Sequence, residues 1–109
     1  MITKSNPASG RWAVFSNCER YRYLLRIVWD RAVPRLCFLM LNPATADESK
    51  NDPTIERCQR RAEQYGFGGV SILNLFAYRA TDPSDMKSAN DPVGELNDCF
   101  IVAESLRVP

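Results

Sequence analysis

Histidine is absent from all 109 residues of this chain. Mechanisms built on a Ser-His or Cys-His pair within the chain are thereby excluded, because each needs an imidazole to take the nucleophile's proton. Long apolar runs are missing too. The longest is LCFLML, residues 36–41, far short of the roughly 20 residues needed to cross a bilayer, so no membrane partner is expected. The opening MITKSNPASGRW lacks the apolar centre of a secretory signal and points to the cytoplasm. Cysteine is present at Cys18, Cys37, Cys58 and Cys99, but never as C-x-x-C. With no ligand spacing, a structural zinc site gives way to reduced thiols, Cys58 and Cys99 being expected on buried helix stripes. No metal and no cofactor is expected.

What is present is an ordinary globular composition, 45% hydrophobic and 25% charged, enough for one domain with one core, residues 1–109. Residues 1–10 read as a flexible tail. The net charge of +1 is unevenly spread. Arg11, Arg20, Arg22, Arg26, Arg31 and Arg35 crowd one segment, and Asp47, Glu48, Asp52 and Glu56 the next. A basic hairpin facing an acidic loop is one consequence, an anionic ligand on the basic side another.

Residues 21–29 alternate, with Tyr21, Tyr23, Leu25, Ile27 and Trp29 on one face and Arg20, Arg22 and Arg26 on the other, as in a half-buried strand. Residues 11–15 supply its antiparallel partner. Residues 36–41 are apolar on both faces, as in a central strand. Asp52-Pro53 then opens a helix that stops at Gly66, with Ile55, Cys58, Ala62 and Tyr65 as its core stripe. GVSILNLF, residues 69–76, is a second buried strand, so strand, helix and strand form a parallel βαβ unit. Asp82-Pro83 opens a short helical turn. Asp91-Pro92 opens a helix over residues 92–106 with Val93, Leu96, Phe100, Ala103 and Leu106 inward. The fold class is therefore α/β: an N-terminal antiparallel β-hairpin joined to a parallel βαβ unit plus a C-terminal helix, a three-layer sandwich that reads as incomplete. A homodimer through an uncovered C-terminal helix or sheet edge follows as an expectation.

In such a sheet, ligands bind beyond the carboxyl ends of the parallel strands. Two segments meet there: residues 42–47 after the first strand and residues 74–82 after the second. They offer Asn42, Thr45, Asp47, Asn74, Tyr78, Arg79, Thr81 and Asp82. Each has a plainer reading as well. Asp52, Asp82 and Asp91 stand before prolines and suit helix caps. Asn74 needs partners inside an apolar strand, from a loop or from a ligand. Arg79 suits an ion pair or an anion, and Tyr78 packing or stacking on a base.

The segments LMLNPATADESKNDPTIERC, YGFGGVSILNLFAYRATDP and NDPVGELND resemble the domain of unknown function 1643 family of bacteria and phages. The likeness runs over residues 11–101. The family pattern continues with a strand ending in Trp-Gly and a later His-Pro motif, which are not found before Pro109, and this supports the expectation of an incomplete domain. A strand followed by Asn-Pro is also similar, more distantly, to the uracil-DNA glycosylase superfamily, where the early loop positions the water or the sugar. That likeness matches Asn42 and Pro43 to the early loop, while the later loop has no match, and implies a glycosylase-like cleft. Read as an enzyme, the rim would have Asn42 position and Asp47 act as general base, while Thr45, Asn74, Tyr78, Arg79, Thr81 and Asp82 contact the ligand. Arg20, Arg22 and Arg26 would track phosphates. The expected ligand is a nucleotide or nucleic acid; a small-molecule module without catalysis and an inactive truncated domain are the alternatives.

Overall fold

A computed structural model describes residues 1–43, 46–79 and 91–106. Its sheet has five strands in the order β1-β2-β3-β5-β4. These are β1 (Ile2–Asn6), β2 (Arg11–Phe15), β3 (Arg22–Val28), β4 (Arg35–Met40) and β5 (Gly69–Asn74), with helices α1 (Pro53–Gln64) and α2 (Asn97–Ser105). β1, β2, β3 and β5 pair antiparallel in turn, and β4 pairs parallel to β5. The expected hairpin, βαβ unit and C-terminal helix are all found.

The two helices cover opposite faces. Ile55, Cys58 and Ala62 of α1 pack on Ala13, Phe15, Leu25, Ile27, Val70 and Ile72. Phe100 and Ile101 of α2 pack on Val14, Tyr23, Leu24 and Leu73. Each large apolar side chain so buried contributes about 1.5–3 kcal/mol. Asp52 caps α1 as its position before Pro53 implies: its Oδ1 accepts from the Ile55 N–H at 2.9 Å.

Several expectations differ from the structure. Residues 1–10 are no loose tail. Ile2–Asn6 is an edge strand paired with β2, and a 3-10 turn closes on Gly10 at φ 68, where an added Cβ would lie 2.0 Å from the Val28 carbonyl oxygen. β4 is an edge strand instead of a central one, because β5 enters between β3 and β4, and Leu39 is left 54% exposed. Tyr65 falls beyond the last turn of α1 and is exposed.

The C-terminal helix begins at Asn97 instead of Pro92. Gly94 takes φ 92, outside helical backbone, and Asp91 Oδ1 accepts from the Gly94 N–H in a local turn. The inward stripe changes with it: Asn97, Phe100, Ile101 and Glu104 face the sheet, while Leu96, Cys99, Val102, Ala103 and Leu106 face outward. Polar anchors explain this orientation. Asn97 binds the end of β5, and Glu104 accepts from Arg26, Ser71 and Arg35. The turn after Asp82-Pro83 lies outside the described residues. Among those described, no helix is long and apolar enough to cross a membrane.

Candidate functional site

Parallel pairing of β4 with β5 places Met40 beside Asn74, so both chains leave the sheet at one rim. Leu75 and Phe76 continue the pairing by donating N–H groups to the carbonyls of Met40 and Leu41. Between this rim and the N-terminus of α1 lies a cavity of about 60 Å³. Asn42, Pro43, Asn74, Arg22, Asp52 and Thr54 line it, with Met40 and Ile55. Asn42 and Asn74 therefore share one site, as the sheet topology requires.

Arg22 reaches this cavity through a β-bulge. Val14 lies opposite Leu24 and Phe15 opposite Arg22, which leaves Tyr23 as the extra residue of β3. The bulge reverses the alternation, so Arg22 joins Phe15 on the α1 face and Tyr23 turns to stack on Phe100, with ring centroids 5.3 Å apart. The Arg22 guanidinium is 1% exposed, and its Nη1 donates to the Ala46 carbonyl at 2.6 Å. Burial pulls its pKa down to about 10, with Arg79 and Arg11 pushing the same way and Asp52 and Asp47 opposing. It stays a cation at neutral pH.

Asn74 is 1% exposed, and among the described residues neither its side-chain oxygen nor its nitrogen has a hydrogen-bond partner; Arg22 Nε lacks one too. Buried polar atoms are nearly always paired, so three such atoms around one cavity are a functional signal. Asn42 donates to the Pro43 carbonyl at 3.2 Å.

The acidic loop is held by arginine. Arg11 donates through Nη2 to the carbonyls of Asp47 and Lys50, both at 2.8 Å. The hairpin does face the loop, but it grips carbonyls. Asp47 itself closes a local turn, its Oδ1 accepting from the N–H groups of Ser49 and Lys50 and from the Ser49 hydroxyl. Burial raises the Asp47 pKa, but those hydrogen bonds and Arg79 outweigh it and hold the carboxyl below its ordinary value.

Asp47 and Arg79 are not among the cavity's lining residues. Arg79 lies 4.8 Å over the Phe15 ring and donates to the Glu19 carbonyl at 3.4 Å. Tyr78 stands edge-on to Tyr21 with centroids 5.5 Å apart. Thr45, Thr81 and Asp82 lie outside the described residues.

The expected basic face of Arg20, Arg22 and Arg26 does not form. Arg20 is exposed and Arg22 is buried in the cavity wall. On the opposite face, Arg26 pairs with Glu104 at 2.7 Å and lies over Trp12. Among the described residues no cluster of His, Cys, Asp or Glu could hold a metal ion. Two lining residues, Arg22 and Asp52, were read from sequence as a phosphate tracker and a cap. A run of three apolar residues, Tyr23-Leu24-Leu25, is the signal that could have revealed the bulge.

An α/β sheet with a polar cavity at the carboxyl ends of its parallel strands defines the class of this molecule. The family model for a protein of unknown function, DUF1643, matches residues 22–107, and the chain belongs to that family. No curated protein and no solved structure matches it.

Proposed function

We propose that this chain binds a nucleotide or nucleic acid, with a polar group of the ligand entering the cavity between the ends of β4 and β5. The observation that carries this reading is Asn74, whose amide is buried with both polar atoms unpaired among the described residues, at the rim where ligands of parallel sheets bind. Arg22, with Arg11 and Arg79 nearby, adds the positive potential a nucleotide needs. Asn42-Pro43 in the cavity wall supports a glycosylase-like placement of the early loop.

Binding without turnover is favoured over catalysis by one detail. Asp47, the candidate general base, has its Oδ1 occupied by local donors and stands outside the cavity lining. The reading is tested by titrating labelled nucleotides and short single-stranded oligonucleotides into the chain and into Asn74→Leu. Saturable binding that the substitution removes is the expected result. No binding of any of them to the unmutated chain would sink the reading.

A further inference from the structure

Among the described residues, the Arg22 guanidinium is a buried positive charge without a negative partner. Among the described residues its side chain donates to one carbonyl and enters no ion pair. Burying an ion in this way is costly unless something neutralises it. The carboxylates closest in electrostatic effect, Asp52 and Asp47, are each committed to backbone N–H groups.

Several other donors surround the cavity. Arg22 Nε–H and the Asn74 amide nitrogen are unpaired. At the N-terminus of α1, Pro53 has no N–H and the Ile55 N–H is taken by Asp52, which leaves the Thr54 N–H at the positive end of a 12-residue helix. Against these stand acceptors, among them Asn74 Oδ1 and the second Asp52 oxygen. The cavity, about 60 Å³, has room for several water molecules. That is room for a phosphoryl group.

We infer that the cavity is an oxyanion subsite that takes the terminal phosphoryl group of a nucleotide. Arg22 neutralises the charge, while the Thr54 N–H and the Asn74 amide nitrogen donate to the other oxygens. The cavity's small volume favours a terminal group over a strand running through. This inference rests on the nucleotide reading above for the ligand's identity, and free phosphate offers the same chemistry.

The test is calorimetry at low ionic strength with nucleoside 5′-monophosphates, the matching nucleosides and inorganic phosphate. The monophosphate should bind about tenfold or more tightly than its nucleoside, inorganic phosphate should compete, and Arg22→Gln should lose about tenfold or more. Asp52→Asn keeps a good helix cap and removes a carboxylate that lines the cavity, so it should tighten binding severalfold. If Arg22→Gln does not fold, this second variant decides, and unchanged or weaker affinity overturns the inference. A nucleoside that binds as tightly as its monophosphate overturns the subsite but leaves the nucleotide reading standing. Phosphate binding with no gain from the nucleoside keeps the subsite and removes the nucleotide reading. Binding of none of the three overturns both.

Discussion

The side-chain amide of Asn97 donates to the main-chain carbonyl of Asn74 at 2.8 Å, and to that of Leu75 at 3.2 Å. The first residue of α2 thus ties down the end of β5 from one face of the sheet, while the Asn74 side chain lines the cavity on the other. Packing on the α2 side and the shape of the candidate site are joined through one backbone segment.

Asn97→Leu should therefore cost more than an ordinary surface change. It strips buried carbonyls of their donor, worth about 1–3 kcal/mol. Urea denaturation would measure the loss, and amide hydrogen exchange should show the Asn74 and Leu75 segment opening more readily than the β2–β3 pair. Equal exchange in both places would show that Asn97 does not secure the strand end.

Glu104 makes stability depend on acid. Its burial raises the carboxyl pKa, but hydrogen bonds from Arg26 and Ser71 and the charges of Arg26 and Arg35 outweigh this, leaving it below the usual 4.5. A carboxyl with a depressed folded pKa stabilises the fold fully above its unfolded value and loses that contribution as pH falls through the folded one. Stability should thus be flat near neutrality and decline below about pH 4.5. Glu104→Gln should flatten this acid limb, and Glu104→Ala should cost about 3–5 kcal/mol at neutral pH by stranding Arg26. An unchanged acid limb in Glu104→Gln would assign the decline to other carboxylates.

The two faces of α2 give opposite expectations. Phe100 stacks on Tyr23 at an interplanar angle of 4°, so Phe100→Ala should cost about 3–5 kcal/mol. Val102 is 60% exposed, so Val102→Lys should stay within about 0.5 kcal/mol. Thermal unfolding of both variants checks the helix orientation, and a severe loss from Val102→Lys would restore the orientation expected from the sequence.

That expectation shows where sequence patterning reaches its limit. The hairpin, the βαβ unit and the Asp52 cap were legible because alternation, helical spacing and the Asp-Pro signal all report local backbone preference. The shared rim of Asn42 and Asn74 followed from parallel pairing alone. The orientation of α2 did not follow, because Asn97 and Glu104 look like surface residues until their partners on β3, β4 and β5 are known. Arg22 was misplaced for a similar reason: one bulge residue reverses every assignment beyond it. β4 reads as central by composition, and only the antiparallel entry of β5 beside β3 makes it an edge.

Asn74→Leu separates ligand binding from folding. A buried amide whose oxygen and nitrogen lack partners carries a desolvation cost that its folded neighbours do not repay. Leucine has nearly the same size and no polar atoms, so the substitution should leave the fold intact and stabilise it by about 1–2 kcal/mol. If Asn74 serves a ligand, the same change should abolish nucleotide or oligonucleotide binding while the melting temperature rises. Opposite movement of the two quantities is the mark of a group kept at the expense of stability. Calorimetric unfolding beside a binding titration on the same sample would measure both. A lower melting temperature together with lost binding would mean that Asn74 holds the strand end in place, and the argument from its unpaired amide would fail.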